Sequence, residues 1–371
     1  MRAIQITALL LLAFAASAFA QTNEATATPN SPVAYVYVGQ NIFTSPEEVS
    51  AFAVFGNGSV TKVSGSPFVG PARNVVVSSG FLFGTDGKNI QVSRRLSNGG
   101  LMKSSSVDGT PHNDTPQDSG VGSLTLDRTA SSLYVGEINF QGADNAAYAE
   151  FANLHNGTIV WKANSSINVD YHSDLEFSEN DQFAYGIGCF FASWDVLAFH
   201  RLSDGQLVPF DAGNTFPPNP NNDTLCPGSA AASAKGFLAV SYGVAQSGSK
   251  QNIITYQITS TGGLQTITNS VTATNFTGVA LRFDPTGNFL AAAGHNGIET
   301  FRLHSNGTLT RLGSLLEPGV AFIDVKWDDS GHVFAISNAA LYKFTLHSTG
   351  LALTGFHPVT NAGSLAVLPT V

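Results

Sequence analysis

FGNGSV (55–60), LSNGGL (96–101), LHNGTI (154–159), LSDGQL (202–207), ITSTGGL (258–264), LHSNGTL (303–309) and LHSTGL (346–351) are seven versions of one short hairpin. Each runs from an apolar residue through a polar turn with glycine to another apolar or β-branched residue. Asn-Gly and Asp-Gly between strand-like runs are the strongest short-range hairpin signal, because a type I′ turn needs positive φ at both central positions. The turn glycines Gly58, Gly99, Gly157, Gly205, Gly262, Gly307 and Gly350 lie 41, 58, 48, 57, 45 and 43 residues apart. A recurrence of that length matches one four-stranded propeller blade. The sequence therefore predicts an all-β chain folded as one seven-bladed β-propeller.

The runs around the hairpins supply the other strands. Blade 3 reads SLTLD (123–127), SLYVGE (132–137), AYAEFANL (147–154) and TIVWKA (158–163), from innermost strand a to outermost strand d. The innermost strands of blades 4 and 5 are expected at DLEFS (174–178) and GSAAAS (228–233). Blade 1 has no innermost strand of its own. GSLAVLPTV (363–371) supplies it, pairing with AYVYVG (34–39) and closing the ring, which removes an open edge. A second signature marks the a–b turn: FDPTGNFLAAAG (283–294), with weaker copies WDDSGHVFAIS (327–337), LDRTASSLYVGE (126–137) and FSENDQFAYGIG (177–188).

Residues 1–20 read as a signal peptide: Arg2, an apolar run to Phe14, and the small-x-small site Ala18-Phe19-Ala20. That apolar run is too short to span a bilayer. Residues 21–32 (QTNEATATPNSP) form a polar leader, and 33–371 the propeller, about 48 residues per blade. The expected location is secreted or periplasmic. A net charge of −9 with scattered Lys and Arg argues against nucleic acid, which needs a basic footprint. The expected partner is a small polar molecule or a protein ligand at the channel face, with no membrane span and a monomeric state. Two cysteines in an oxidising compartment favour a disulfide. Cys189 ends strand b of blade 4 and Cys226 enters strand a of blade 5, positions that a propeller brings to one face.

These residues resemble the seven-bladed lactonase-type propellers, the superfamily of 6-phosphogluconolactonase and the YVTN repeat proteins. The resemblance rests on the FDPTGNFL-like turn and on LYVGE (133–137), and spans all seven blades. With the signal peptide, it implies an exported lactonase-like hydrolase of small sugar-type lactones. In that family, histidines stand shortly before the aromatic of strand a, often after Gly-Pro or Pro-Arg. Here GPARN (70–74) puts Arg73 at that place, His172 is one residue out of register, and Gly122, Val279 and Ile323 fill it in blades 3, 6 and 7. Glu137 matches well. Glu137, His172 and Arg73 are the catalytic candidates, with Asp174 and Asn74 as binding residues. The open alternative is a non-catalytic propeller serving as a binding or scaffold module.

Other chemistry finds little footing. No HxH or HExxH spacing signals zinc, and no GxSxG, P-loop or dinucleotide motif follows a strand and opens a helix. HNDTPQD (112–118) and NPNNDT (219–224) lack the acidic spacing of an EF-hand loop. No cofactor and no metal are expected.

Overall fold

The computed structural model describes residues 31–40, 47–70, 72–110, 119–139, 147–153, 157–166, 175–189, 194–213, 225–244, 251–278 and 280–369. His172 and Asp174 lie outside them, as do the side chains of Glu137 and Cys189.

The described chain is all strand and turn. Blade 1 holds β1 (Pro32–Gln40), β2 (Glu48–Phe55), β3 (Val60–Lys62) and β4 (Phe68–Val69). Blade 2 follows with β5 (Arg73–Val77), β6 (Phe81–Thr85), β7 (Asn89–Arg95) and β8 (Leu101–Asp108). Blade 3 has β9 (Ser119–Leu126), β10 (Ser132–Asn139), β11 (Ala147–Asn153) and β12 (Ile159–Ser166). Blade 4 has β13 (Glu176–Phe177), β14 (Phe183–Cys189), β15 (Trp194–Arg201) and β16 (Leu207–Phe210). Blade 5 has β17 (Leu225–Ser233), β18 (Phe237–Val244), β19 (Asn252–Ile258) and β20 (Leu264–Ala273). Blade 6 has β21 (Ala280–Phe283), β22 (Phe289–Gly294), β23 (Gly297–Leu303) and β24 (Leu309–Leu316). Blade 7 has β25 (Phe322–Trp327), β26 (His332–Ser337), β27 (Ala340–His347) and β28 (Gly350–Pro358).

The last strand, β29 (Ala362–Pro369), joins blade 1. It pairs antiparallel with β1 from Ala34↔Pro369 to Gln40↔Ala362, so the sheet order is β29-β1-β2-β3 with β4 also on β2. Every other sheet is four consecutive strands in order. The expected closure is thus present. The inner strand of blade 5 starts at Leu225 rather than 228, and the described inner strand of blade 4 is only Glu176–Phe177.

Alternation along each strand sends its apolar side chains into the gaps between sheets. Seven apolar clusters result, one at each blade interface. Phe83 and Val92 of blade 2 meet Leu124 and Val135 of blade 3, for example, and Phe334 of blade 7 meets Val36 of blade 1.

The repeated hairpin does more than reverse the chain. In six blades the carbonyl of its glycine accepts a side-chain hydrogen bond from the preceding blade. Tyr37 donates to Gly99 (3.1 Å), Ser105 to Gly157 (3.2 Å), Tyr134 to Gly205 (2.7 Å) and Tyr185 to Gly262 (2.7 Å). Thr255 donates to Gly307, and Lys343 to Gly58 at 2.9 Å. The turn is therefore also the joint between neighbours, and the absence of a Cβ lets the neighbour's ring lie against it. A Cβ on Gly157 would sit 2.4 Å from Phe81.

The a–b turn signature has an equally local cause. Asp284 Oδ1 accepts the N–H of Phe289 at 2.7 Å, Asp127 Oδ1 that of Ser131 at 2.7 Å, and Asp328 Oδ1 that of His332 at 2.8 Å. One carboxylate closes each turn and fixes where strand a ends. In blade 4 the Ser178 hydroxyl takes the N–H of Phe183 at 3.0 Å instead.

Candidate functional site in the central channel

Fixing the end of strand a fixes which of its residues face the channel. The fourth residue before the closing side chain of the turn lines the channel, as Ser123, Ala280 and Asp324 do. The third is buried between blades, as Leu124, Leu175, Leu281 and Val325 are. The second again faces the channel: Thr125, Glu176, Arg282 and Lys326. The charged groups gather on blades 4, 6 and 7.

Two adjoining cavities of about 360 and 410 Å³ occupy the channel and share Asn74, Arg282, Asp324 and Ser364. The larger lies at the end where strands a begin. There five inner strands carry a β-bulge, at Asn74–Val75, Gly122, Gly228, Ile323 and Gly363. Asn74, Gly122, Gly228, Ile323 and Gly363 all line that mouth. A bulge turns one extra residue out of the ladder and re-aims it. Asn74 adopts a left-handed φ of 47° there, a conformation asparagine tolerates better than most residues.

A circuit of seven hydrogen bonds ties each inner strand to the next around the channel. Ser364 Oγ accepts the Val75 N–H (3.1 Å), Asn74 Nδ2 donates to Gly122 O (2.6 Å), and Thr125 Oγ1 accepts the Leu175 N–H (3.1 Å). Glu176 Oε2 accepts the Ala232 N–H (3.3 Å) and Ser229 Oγ the Leu281 N–H (3.1 Å). Trp327 Nε1 donates to Arg282 O (3.0 Å), and Asp324 Oδ2 accepts the Leu365 N–H (3.2 Å).

The channel charges are paired. Glu176 Oε1 meets the Arg282 guanidinium across blade 5, and Asp324 Oδ1 lies 3.6 Å from Lys326 Nζ. Arg128, toward the far end, donates to the carbonyls of Phe177 and Ser178 and lies 3.2 Å from Glu179. No histidine lines the described channel, and no cluster of three metal-ligating side chains occurs among the described residues.

The sequence candidates distribute unevenly over this geometry. Asn74 lines both cavities. Arg73, counted from the turn as the residue at the family's histidine place, is not among the cavity residues. The bulge puts Asn74 there instead, and the Arg73 guanidinium turns to Glu47 Oε1 at 2.9 Å, a carboxylate that also accepts the Ala72 N–H. Glu137 pairs through its backbone with Val121, just past the Gly122 bulge. His172 and Asp174 precede Leu175, which lines the channel, and lie outside the described residues. No cysteine is free among the described residues, Cys226 included.

Sequence reasoning missed Glu176, Arg282, Asp324 and Lys326. Their signal was present: Glu176, Arg282 and Lys326 each stand two residues before the side chain that closes the a–b turn.

No family model matches the chain, and no curated protein does. Solved structures do. A candidate 6-phosphogluconolactonase from Bacteroides fragilis superposes with a TM-score of 0.68 at 13% identity, over 92% of this chain and 99% of that one. Another candidate 6-phosphogluconolactonase, from Bacteroides uniformis, gives 0.68 at 14% identity, over 91% and 100%. A protein from Lactobacillus plantarum gives 0.68 at 14%, over 91% and 99%. At such identities the likeness is one of fold: this is a seven-bladed β-propeller.

Proposed function

We propose that this protein is an exported lactonase-like hydrolase whose channel mouth binds a small sugar-type lactone and opens it. The observation that carries the reading is the mouth cavity of about 410 Å³, ringed by Asn74, Ser123, Ser229, Asp324 and Ser364 on strands locked to one another. Convergent polar groups in a well-formed cavity are the usual mark of a ligand site. Water would add to the lactone carbonyl, the ring C–O bond would break, and the product would be a hydroxy acid. Arg73, held by Glu47, is left out of the chemistry. Glu137 is the proposed general base, with His172 as an electrostatic partner and Asp174 and Asn74 as binding residues. Position in the chain supports them: Glu137 stands at the mouth end of β10, and Asp174 directly precedes channel-lining Leu175. The proposed Cys189–Cys226 disulfide would tie blade 4 to blade 5 at that end, consistent with Cys226 not being a free thiol. Acid release from a panel of sugar lactones by the purified protein tests the reading.

A second reading, binding without turnover, draws on one specific observation. Every channel carboxylate in the described residues already holds a backbone N–H and a cation, and such partners favour the charged form and weaken it as a base. Saturable binding of a lactone with no acid release would favour it.

A further inference from the structure

We infer that the ligand of this channel carries no phosphate: the site is built for an uncharged, polyhydroxylated lactone. The inference rests on the lactone reading above and narrows its substrate class.

Three cationic side chains face the described cavities, and each is matched by a carboxylate: Arg282 by Glu176, Lys326 by Asp324 and Arg128 by Glu179. Phosphate recognition uses the opposite arrangement. It takes Arg or Lys groups left without a counter-charge, or backbone N–H groups that point at the ligand unbonded. Here the inner-strand N–H groups of Val75, Leu175, Ala232, Leu281 and Leu365 are already taken by side chains of the preceding blade. A phosphate at this site would have to draw Arg282 off Glu176 or Lys326 off Asp324. The carboxylate left behind would then face a dianion across a channel partly shielded from water, where like charges repel strongly.

Neutral hydroxyls meet no such obstacle. Ser229 Oγ accepts the Leu281 N–H and keeps its own proton to donate. Asp324 and Glu176 have lone pairs to accept ligand hydroxyls without losing their cations. A ring of paired charges and hydroxyl groups thus suits a polyol surface.

The test compares glucono-1,5-lactone with its 6-phosphate for hydrolysis, and glucitol with glucitol 6-phosphate for calorimetric binding. The unphosphorylated member of each pair is expected to be favoured by roughly tenfold or more, the cost of one imperfectly paired charged group. Equal or better use of the phosphorylated member overturns the inference while leaving the lactone reading standing. If no member of either pair binds or reacts, the lactone reading itself fails and this inference falls with it. Glu176→Gln removes the charge that masks Arg282, and should shrink the preference by roughly tenfold. An unchanged ratio in a folded variant overturns the masking argument. Asp324→Asn, which unmasks Lys326, serves the same purpose should Glu176→Gln not fold, and the wild-type comparison needs neither.

Discussion

The Asp324 carboxylate accepts the backbone N–H of Leu365 at 3.2 Å, which joins blade 7 to the strand that arrives in blade 1 from the far end of the chain. The same carboxylate lies 3.6 Å from Lys326 in the channel. Ring closure and channel electrostatics therefore share one side chain. Beyond it, Ser364 on the same strand accepts the Val75 N–H of blade 2. β29 is thus bonded on both sides within the inner circuit as well as along β1.

Deleting residues 363–371 should abolish that arrangement. The truncation removes the innermost strand of blade 1, unpairs β1 along that edge and uncovers Val36 and Val38. The expected result is insoluble or sharply destabilised protein, followed by circular dichroism melting. An unchanged melting temperature would refute closure as a stabilising feature.

The hairpin joints make a sharper test. Gly157 and Gly236 both have positive φ, +81° and +77°. A Cβ on Gly157 meets the Phe81 ring at 2.4 Å, whereas a Cβ on Gly236 meets nothing within 4 Å. Alanine at either site strains the backbone by about 1–2 kcal/mol. At Gly157 the clash with a packed ring adds about 1–3 kcal/mol. Urea titration should rank Gly157→Ala clearly below Gly236→Ala, and equal losses would show that the joint does not depend on close approach.

Glu150 sets a pH dependence. It is 2% exposed on β11, and burial raises its carboxyl pKa above the usual glutamate value. Hydrogen bonds to Oε1 from the Ser165 hydroxyl and the Leu207 N–H, both at 2.6 Å, oppose that shift, while Oε2 is buried with no partner among the described residues. The native state therefore holds a proton that the unfolded chain releases near pH 4.5. Stability falls as pH rises from there through the raised native value, then levels. Glu150→Gln keeps the Oε1 acceptor and removes the charge. Its stability relative to wild type should improve from pH 4 to pH 7 in denaturant titrations, and a relative loss over that range would contradict the assignment.

The sequence made the turns legible because their requirements are local: a glycine at positive φ, a carboxylate four or five residues before the N–H it caps. Closure was legible because blade 1 lacked a strand and the C-terminus had a spare one. The channel was harder to read. Glu176 and Arg282 meet from blades 4 and 6, 106 residues apart, across an intervening strand of Ala230, Ala231 and Ala232. No local pattern announces a pair that reaches past small side chains on a third element. The exchange between Arg73 and Asn74 has a similar origin. A count from the turn assumes an even ladder, and the bulge at Asn74–Val75 breaks it.

The proposed Cys189–Cys226 bridge should show in thiol chemistry. Denatured, unreduced protein is expected to titrate no free thiol. Reduction should lower stability by about 4 kcal/mol in the chain-entropy account of a loop of this length. Two thiols per chain before reduction would rule the bridge out.

Glu137→Gln separates the two functional readings. Glu137 lies on β10 opposite Val121, past the bulge that sends Gly122 into the mouth. Glutamine keeps the shape of the side chain and removes its charge and basicity. If the carboxylate activates water, kcat for lactone opening should fall by roughly 10²–10⁴-fold while KM changes little. The acidic limb of the pH–rate profile should vanish with it, because that limb reports the base in its ionised form. A purely structural carboxylate would instead lower the melting temperature and leave both kcat and the pH profile of the folded fraction in place. Activity that survives the substitution with its acidic limb intact would remove Glu137 from the chemistry, and the search for a base would move to His172 and Asp174, where the chain enters the inner strand of blade 4.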